Sequence, residues 1–195
     1  NCYSFIKSNI EGVRNLLDII SNRIVIRADK PLFFQMSTDE VYGDTISGIF
    51  DENSPLNPSN PYAATKASAD LLIKSWARTN GLDYIIARPS NNYGTNQYPE
   101  KLIPLSVKRL SRGKKIKLQN IYTVHKIINS YFMGRVDMPI PDYSEHIDIT
   151  YSRPGQDVRY AISCTPLRDL GWLPRKEFDK EIVGLVKYFK ERFVW

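Results

Sequence analysis

"PLFFQMSTDEVYG", residues 31–43, opens as an apolar run and closes on two hydroxyls, two adjacent carboxylates and a glycine. The run 31–37 has the length of a buried parallel strand. Asp and Glu are poor strand formers, and neighbouring carboxylates repel, so Asp39 and Glu40 mark where the strand ends. In nucleotide-binding α/β sheets such strand ends line the ligand crevice. Two acids at that point call for a chemical use. Upstream, Ile6, Ile10, Val13, Leu17 and Ile20 recur at spacings of 4, 3, 4 and 3, one face of a helix. Downstream, 47–61 has the Pro, Asn and Ser density of a loop. The spacing then predicts a helix opened by Asn60 as N-cap with Pro61 in its first position, and closed at Gly81. "LDYIIARPS" (82–90) reads as a second buried strand.

Helix alternating with buried strand through residue 90 predicts an α/β fold with a parallel sheet and right-handed crossovers. The remainder is more irregular. It predicts helices at 101–113 and 122–132, strands at 114–118 and 146–152, and a short helix from Thr165 as cap with Pro166 in its first position. A final helix places Phe178, Ile182, Leu185, Phe189 and Phe193 on one core-facing stripe. This part suits a smaller α/β lobe beside the sheet.

Composition narrows the function classes. The 195 residues are 42% hydrophobic and 25% charged, as in ordinary globular proteins. No window has the length of a membrane-spanning helix, and the opening residues lack a signal-peptide core. Cys2 and Cys164 lie far apart, which points to reduced thiols and a cytoplasmic setting. The net charge of +6 has its densest source in "KRLSRGKKIK" (108–117). That stretch reads as a solvated helix end running into a strand rather than a nucleic-acid surface, because no aromatic residue interleaves with its charges. His125 and His146 read as packing residues, and no metal-ligand spacing occurs.

The candidate chemistry centres on Tyr62 and Lys66 of "YAATK", four residues apart on one helix face. A phenol titrates near ~10, and a neighbouring ammonium favours the phenolate. Such a pair can take the proton of a secondary alcohol while its carbon is oxidised.

These motifs occur in order with several others: "SNIEGVRNLL", "STDEVYGD", "NPYAATKASAD", "RPSNNYGTNQYPEKLIP", "RPGQDVRYAI" and "LGWLP". Together they resemble the extended short-chain dehydrogenase/reductases, and within them the nucleotide-sugar 4,6-dehydratase family. The resemblance implies a Rossmann-like parallel sheet flanked by helices, NAD as cofactor and a nucleoside-diphosphate glucose as substrate. It implies that 1–95 is the C-terminal part of an NAD-binding domain and that 96–195 is mainly a nucleotide-sugar-binding lobe, some of whose strands rejoin the sheet. It also implies a homodimer through the helices near 4–20 and 61–80, and neither nucleic acid nor membrane as a partner.

Mapped by this resemblance, Thr38 hydrogen-bonds the sugar, Tyr62 deprotonates the C4 hydroxyl, and Lys66 lowers the phenol's pKa. Glu40 removes the C5 proton and Asp39 protonates the leaving C6 hydroxyl. The opposite protonation states follow from like-charge proximity and partial burial. Ser8, Ser37, Tyr62, Lys66 and Asn92 match cofactor contacts. Thr38, Asn91, Lys101, Leu102, Arg153 and Gln156 match substrate contacts, although Asn91 and Asn92 also suit a tight turn.

The sequence departs from the family in two places. It has no glycine-rich pyrophosphate loop, which in this family precedes the segment corresponding to residue 1, so about a first third is expected to be missing. After "GKKIKL", "QN" joins directly to "IYTVHKII", where the family carries more residues, including a diphosphate-binding Arg. Two readings therefore stand beside the dehydratase: a sugar-nucleotide epimerase or decarboxylase of the same superfamily, and a non-catalytic remnant that binds sugar nucleotide. The Asp39–Glu40 pair argues against the epimerase, and the intact set Thr38, Asp39, Glu40, Tyr62 and Lys66 against the remnant.

Overall fold

The computed structural model describes residues 2–27, 31–118, 120–134, 136, 142–150, 159 and 161–192. It divides into two compact units, Asn1–Asn91 with Gly155–Leu170, and Asn92–Pro154 with Gly171–Trp195.

In the first unit, helix α1 runs 3–27. Tyr3–Phe5 is α, Ile6–Glu11 is π, and Gly12–Arg27 is α again. The single apolar face expected of it holds from Ile10 onward: Val13 and Leu17 are buried and Ile10 and Ile20 are half-buried, but Ile6 is exposed. A π turn holds more residues than an α turn, so it rotates what precedes it off the stripe. Strand β1 (Phe33–Met36) then pairs in parallel with β2 (Tyr84–Ala87), Met36 opposite Ala87. Helix α2 (Pro61–Asn80) lies between them in the chain. It starts at Asn60, whose side chain accepts from the Ala63 amide at 2.9 Å, and stops at Gly81 with φ +68°.

Both strands were expected to be buried throughout. Instead, Phe33 and Gln35 are buried while Phe34, Met36, Tyr84 and Ile85 are exposed. Among the described residues, α1 and α2 bring Val13, Leu17, Ala69 and Ile73 against Phe33 and Leu82. The cover therefore lies on the Phe33 face, and the alternation of a half-covered sheet follows. Trp76 on α2 donates its indole N–H to Ser21 on α1 at 2.5 Å, tying the two helices.

Beyond β1 the chain makes a 3₁₀ turn, Asp39–Tyr42, which buries Val41 and Tyr42 against Ala67 of α2, with Phe50, Leu56 and Ile162 around them. Gly43 ends it at φ +79°, where a Cβ would lie 2.0 Å from the Asn57 carbonyl oxygen. The Asn57 amide donates to the Val41 carbonyl at 3.0 Å and closes the base of the loop 44–56. Helix α3 (Thr165–Asp169) begins one residue earlier than expected. Cys164 holds the cap position, Thr165 opens the helix, and the Thr165 amide bonds to Ser163 Oγ at 3.2 Å.

The second unit packs α4 (Leu102–Leu110), α5 (Ile121–Met133) and α6 (Phe178–Arg192) around Val107, Val124, Ile127, Ile128, Ile182 and Val186. Strands β3 (Ile116–Lys117) and β4 (Ile147–Asp148) pair in parallel, with Ile116 opposite Ile147. Their pairing is shorter than the runs 114–118 and 146–152, of which 151–152 lie outside the described residues. After β3, helix α5 opens at Asn120, whose side chain accepts from the Thr123 amide at 2.9 Å. On α6, Ile182, Leu185 and Phe189 are buried and Phe178 is half-buried, as the stripe requires, while Phe193 lies outside the described residues. His125 stacks on Tyr143 and His146 leans on Phe132.

The basic stretch is the end of α4 turning into β3. Lys108, Arg109, Arg112 and Lys114 line an open cleft of about 390 Å³ with Tyr98, an aromatic neighbour that the linear spacing did not reveal. Among the described residues no helix is long and apolar enough to cross a membrane.

Candidate active site

The carboxyl ends of β1 and β2 are stitched beyond the strands. The Ser37 amide donates to the Ala87 carbonyl at 2.7 Å and the Asp39 amide to the Pro89 carbonyl at 3.2 Å. This carries Ser37, Thr38, Asp39 and Glu40 to the crevice end of the sheet. Thr38 is extended (φ −153°, ψ 152°), so its Oγ1 can cap the 3₁₀ turn by accepting from the Glu40 amide at 3.3 Å. The same hydroxyl donates to Asp39 Oδ1 at 3.4 Å. Ser37, Thr38 and Asp39 are buried and Glu40 is half-buried.

Glu40 is held from across the site. Its Oε2 accepts from the Asn60 side-chain amide at 3.1 Å, while the carbonyl oxygen of that same side chain caps α2. Sequence reading assigned Asn60 to the helix alone, and no local spacing signals the second contact, made over twenty residues. Asn60→Ala removes both functions. It is expected to lower stability by about 1 kcal/mol, measured by urea unfolding, and to weaken any activity that depends on Glu40.

Tyr62 sits in the first turn of α2, half-buried, with the Phe5 ring edge-on at 5.5 Å. Two residues that the sequence reading missed fix that turn. Thr65 Oγ1 donates to the Tyr62 carbonyl at 2.8 Å and accepts from Asn9 Nδ2 at 2.9 Å, so the π segment of α1 is tied to the tyrosine. π segments often occur at functional sites. Ser8 lies on the same segment and is exposed.

The electrostatics differ from the expectation for Tyr62 and Lys66. Burial pushes the phenol above its ordinary value, and the charges of Glu40 and Asp39 push it further in the same direction. Lys66 does not offset this here. Its Nζ donates to the Met36 carbonyl at 2.5 Å. Burial lowers the amine's pKa, partly opposed by the Asp70 carboxylate. The phenol therefore rests protonated, because a half-buried group facing two carboxylates resists a third negative charge.

The first unit thus brings together Ser37, Thr38, Asp39, Glu40, Tyr62 and Lys66. Asn91 is exposed at the end of this unit. Asn92, Lys101 and Leu102 belong to the second. There the Asn92 carbonyl accepts from Gln97 at 2.8 Å, Lys101 pairs with Glu100 at 3.6 Å, and Leu102 opens α4. Arg153 and Gln156 lie outside the described residues.

Known proteins resemble this chain in sequence and in fold. The family model described as GDP-mannose 4,6 dehydratase matches residues 1–126. The low-salt glycan biosynthesis protein Agl12 of Haloferax volcanii is 32% identical over 95% of this chain and 68% of its own length. A dTDP-glucose 4,6-dehydratase of Streptomyces niveus is 32% identical over 98% of this chain and 66% of its own. The crystal structure of dTDP-glucose 4,6-dehydratase from Bacillus anthracis in complex with NAD superposes with a TM-score of 0.77 at 30% identity, covering 100% of this chain and 71% of that one. The UDP-glucose 4-epimerase of Thermus thermophilus, at 20% identity and a TM-score of 0.73, shares the fold. The chain spans about two thirds of the length of the curated relatives it matches. Its incomplete Rossmann-like α/β sheet and the match along nearly all of its residues make this protein a member of the nucleotide-sugar 4,6-dehydratase family.

Proposed function

We propose that the protein catalyses the NAD-dependent dehydration of a nucleoside-diphosphate glucose, dTDP- or UDP-linked, to the 4-keto-6-deoxy sugar. One observation carries this reading: the Thr38-capped turn sets two carboxylates close enough to Tyr62 to act on its phenol. An oxidation site alone needs the hydroxyl, the tyrosine and the lysine, whereas elimination of water also needs a base and an acid.

In this reading Thr38 and Tyr62 bind the C4 hydroxyl, and Tyr62 takes its proton as that carbon is oxidised. The resulting ketone acidifies the C5 hydrogen. Glu40, held by an amide donor, suits the proton acceptor at C5, and the buried Asp39 suits the donor to the departing C6 hydroxyl. One water leaves, the hydride removed from C4 is regained at C6 with a proton at C5, and there is no net redox change. The residues fit the nicotinamide end of NAD. The Lys66 bond to Met36 uses one of three ammonium donors, and Ser37 lies beside it at the strand end. Ser8, Tyr62, Lys66 and Asn92 complete the proposed cofactor contacts. The chemistry that NAD supplies when bound is reversible hydride storage.

The substrate contacts are assigned to Asn91, Lys101, Leu102, Arg153 and Gln156, with 1–95 as the cofactor part and 96–195 as the main sugar-nucleotide lobe. A cytoplasmic homodimer belongs to the same reading, supported by exposed Leu16, Ile19 and Leu71 on α1 and α2. Incubation with NAD and dTDP-glucose or UDP-glucose is expected to give a product that has lost one water by mass and absorbs in alkali. Epimerised sugar with no water lost would reject the assignment.

A further inference from the structure

A buried ion pair lies beneath the site, and the reading above does not use it. Asp70, one turn after Lys66 on α2, is fully buried. Its Oδ2 accepts from Arg88 Nε at 2.9 Å and from Ser37 Oγ at 3.0 Å, and its Oδ1 is buried with no hydrogen-bond partner among the described residues. Arg88 immediately follows β2. It also donates to the Tyr42 hydroxyl at 2.9 Å, with its guanidinium 5.1 Å from the centre of that ring. Tyr42 is the last residue of the turn that carries Asp39 and Glu40. Ser37 directly follows Met36, whose carbonyl seats Lys66.

Resting on the proposed roles of those four residues, we infer that the Asp70–Arg88 pair is a positioning element. It locks the acid-bearing turn and the strand end that seats Lys66 into one register. A buried ion pair adds little net stability over apolar packing, and an unpaired carboxylate oxygen adds cost. A register-setting role accounts for keeping both. The charges around the site divide accordingly. Asp39 and Glu40 face Tyr62 from the turn, Asp70 faces Lys66 from its own helix, and Arg88 faces Asp70 from the end of β2. The carboxylate of Asp70 supports the ammonium that burial opposes.

Asp70→Asn deletes the charge and keeps the size, and it weakens both contacts because their acceptor becomes neutral. Acetic anhydride labelling of Lys66 across pH, read by peptide mass spectrometry, is expected to show a midpoint at lower pH than in the wild type. With nucleoside-diphosphate glucose, kcat is expected to fall about tenfold and KM to change by less than about twofold. Tyr42→Phe cuts the link to the turn alone. It should leave the Lys66 midpoint in place and speed amide hydrogen exchange over 39–43. An unchanged Lys66 midpoint in a folded Asp70→Asn protein overturns the inference, as does unchanged exchange in Tyr42→Phe, which also decides the matter if Asp70→Asn does not fold. Absence of turnover in the wild type rejects the dehydratase reading instead, and the labelling and exchange results still stand.

Discussion

Turnover of the Tyr62→Phe protein is expected to fall by about 10³-fold with little change in KM. The substitution removes one oxygen and nothing else. The ring keeps its edge-on contact with Phe5, and the Tyr62 carbonyl still accepts from Thr65, so the thermal midpoint stays near that of the wild type. What is lost is the group that takes the C4 proton. Without it, oxidation stalls before water elimination begins. The rate of formation of the alkali-absorbing keto sugar measures this, and a Phe variant within about tenfold of wild type would remove Tyr62 from the chemistry.

Glu40→Gln is expected to slow water loss by about 10²–10³-fold while sparing the oxidation that precedes it. The amide oxygen introduced by the substitution can still accept from Asn60, so the turn holds its place. The sugar then accumulates as a 4-ketone that retains its C6 hydroxyl, trapped by borodeuteride reduction and identified by mass. A second effect carries a definite sign. Glu40 is one of two charges that raise the Tyr62 phenol. Removing it makes the phenolate easier to form, so the ascending limb of the oxidation step moves to lower pH. Water loss at the wild-type rate would show that another group removes the C5 proton.

The parts of the site legible in sequence are those set by local geometry. The spacing of Tyr62 and Lys66 follows from one helix whose start and stop are written in Asn60, Pro61 and Gly81. The end of β1 follows from acids that cannot continue a strand. The partners of these residues are set by tertiary packing and were not readable. Lys66 pairs with a carbonyl thirty residues away, Asp70 with Arg88, and Glu40 with the residue that caps the opposite helix. The π segment left no mark because its residues are ordinary helix formers. The exposed face of β1 was misread for a related reason: an apolar run reports what a residue prefers, whereas burial depends on which neighbours cover it.

The contact of Gly43 with Asn57 closes a segment whose tip alone is replaceable, because Phe50 and Leu56 pack against the turn. Ile46 and Ile49 protrude at its far end, and lengthening the chain there costs only about 0.6 kcal/mol per doubling. A side chain at position 43 would instead drive Asn57 outward and transmit the shift straight to the two acids. Diversity in this part of the molecule can therefore accumulate at the tip, while the hinge point stays glycine.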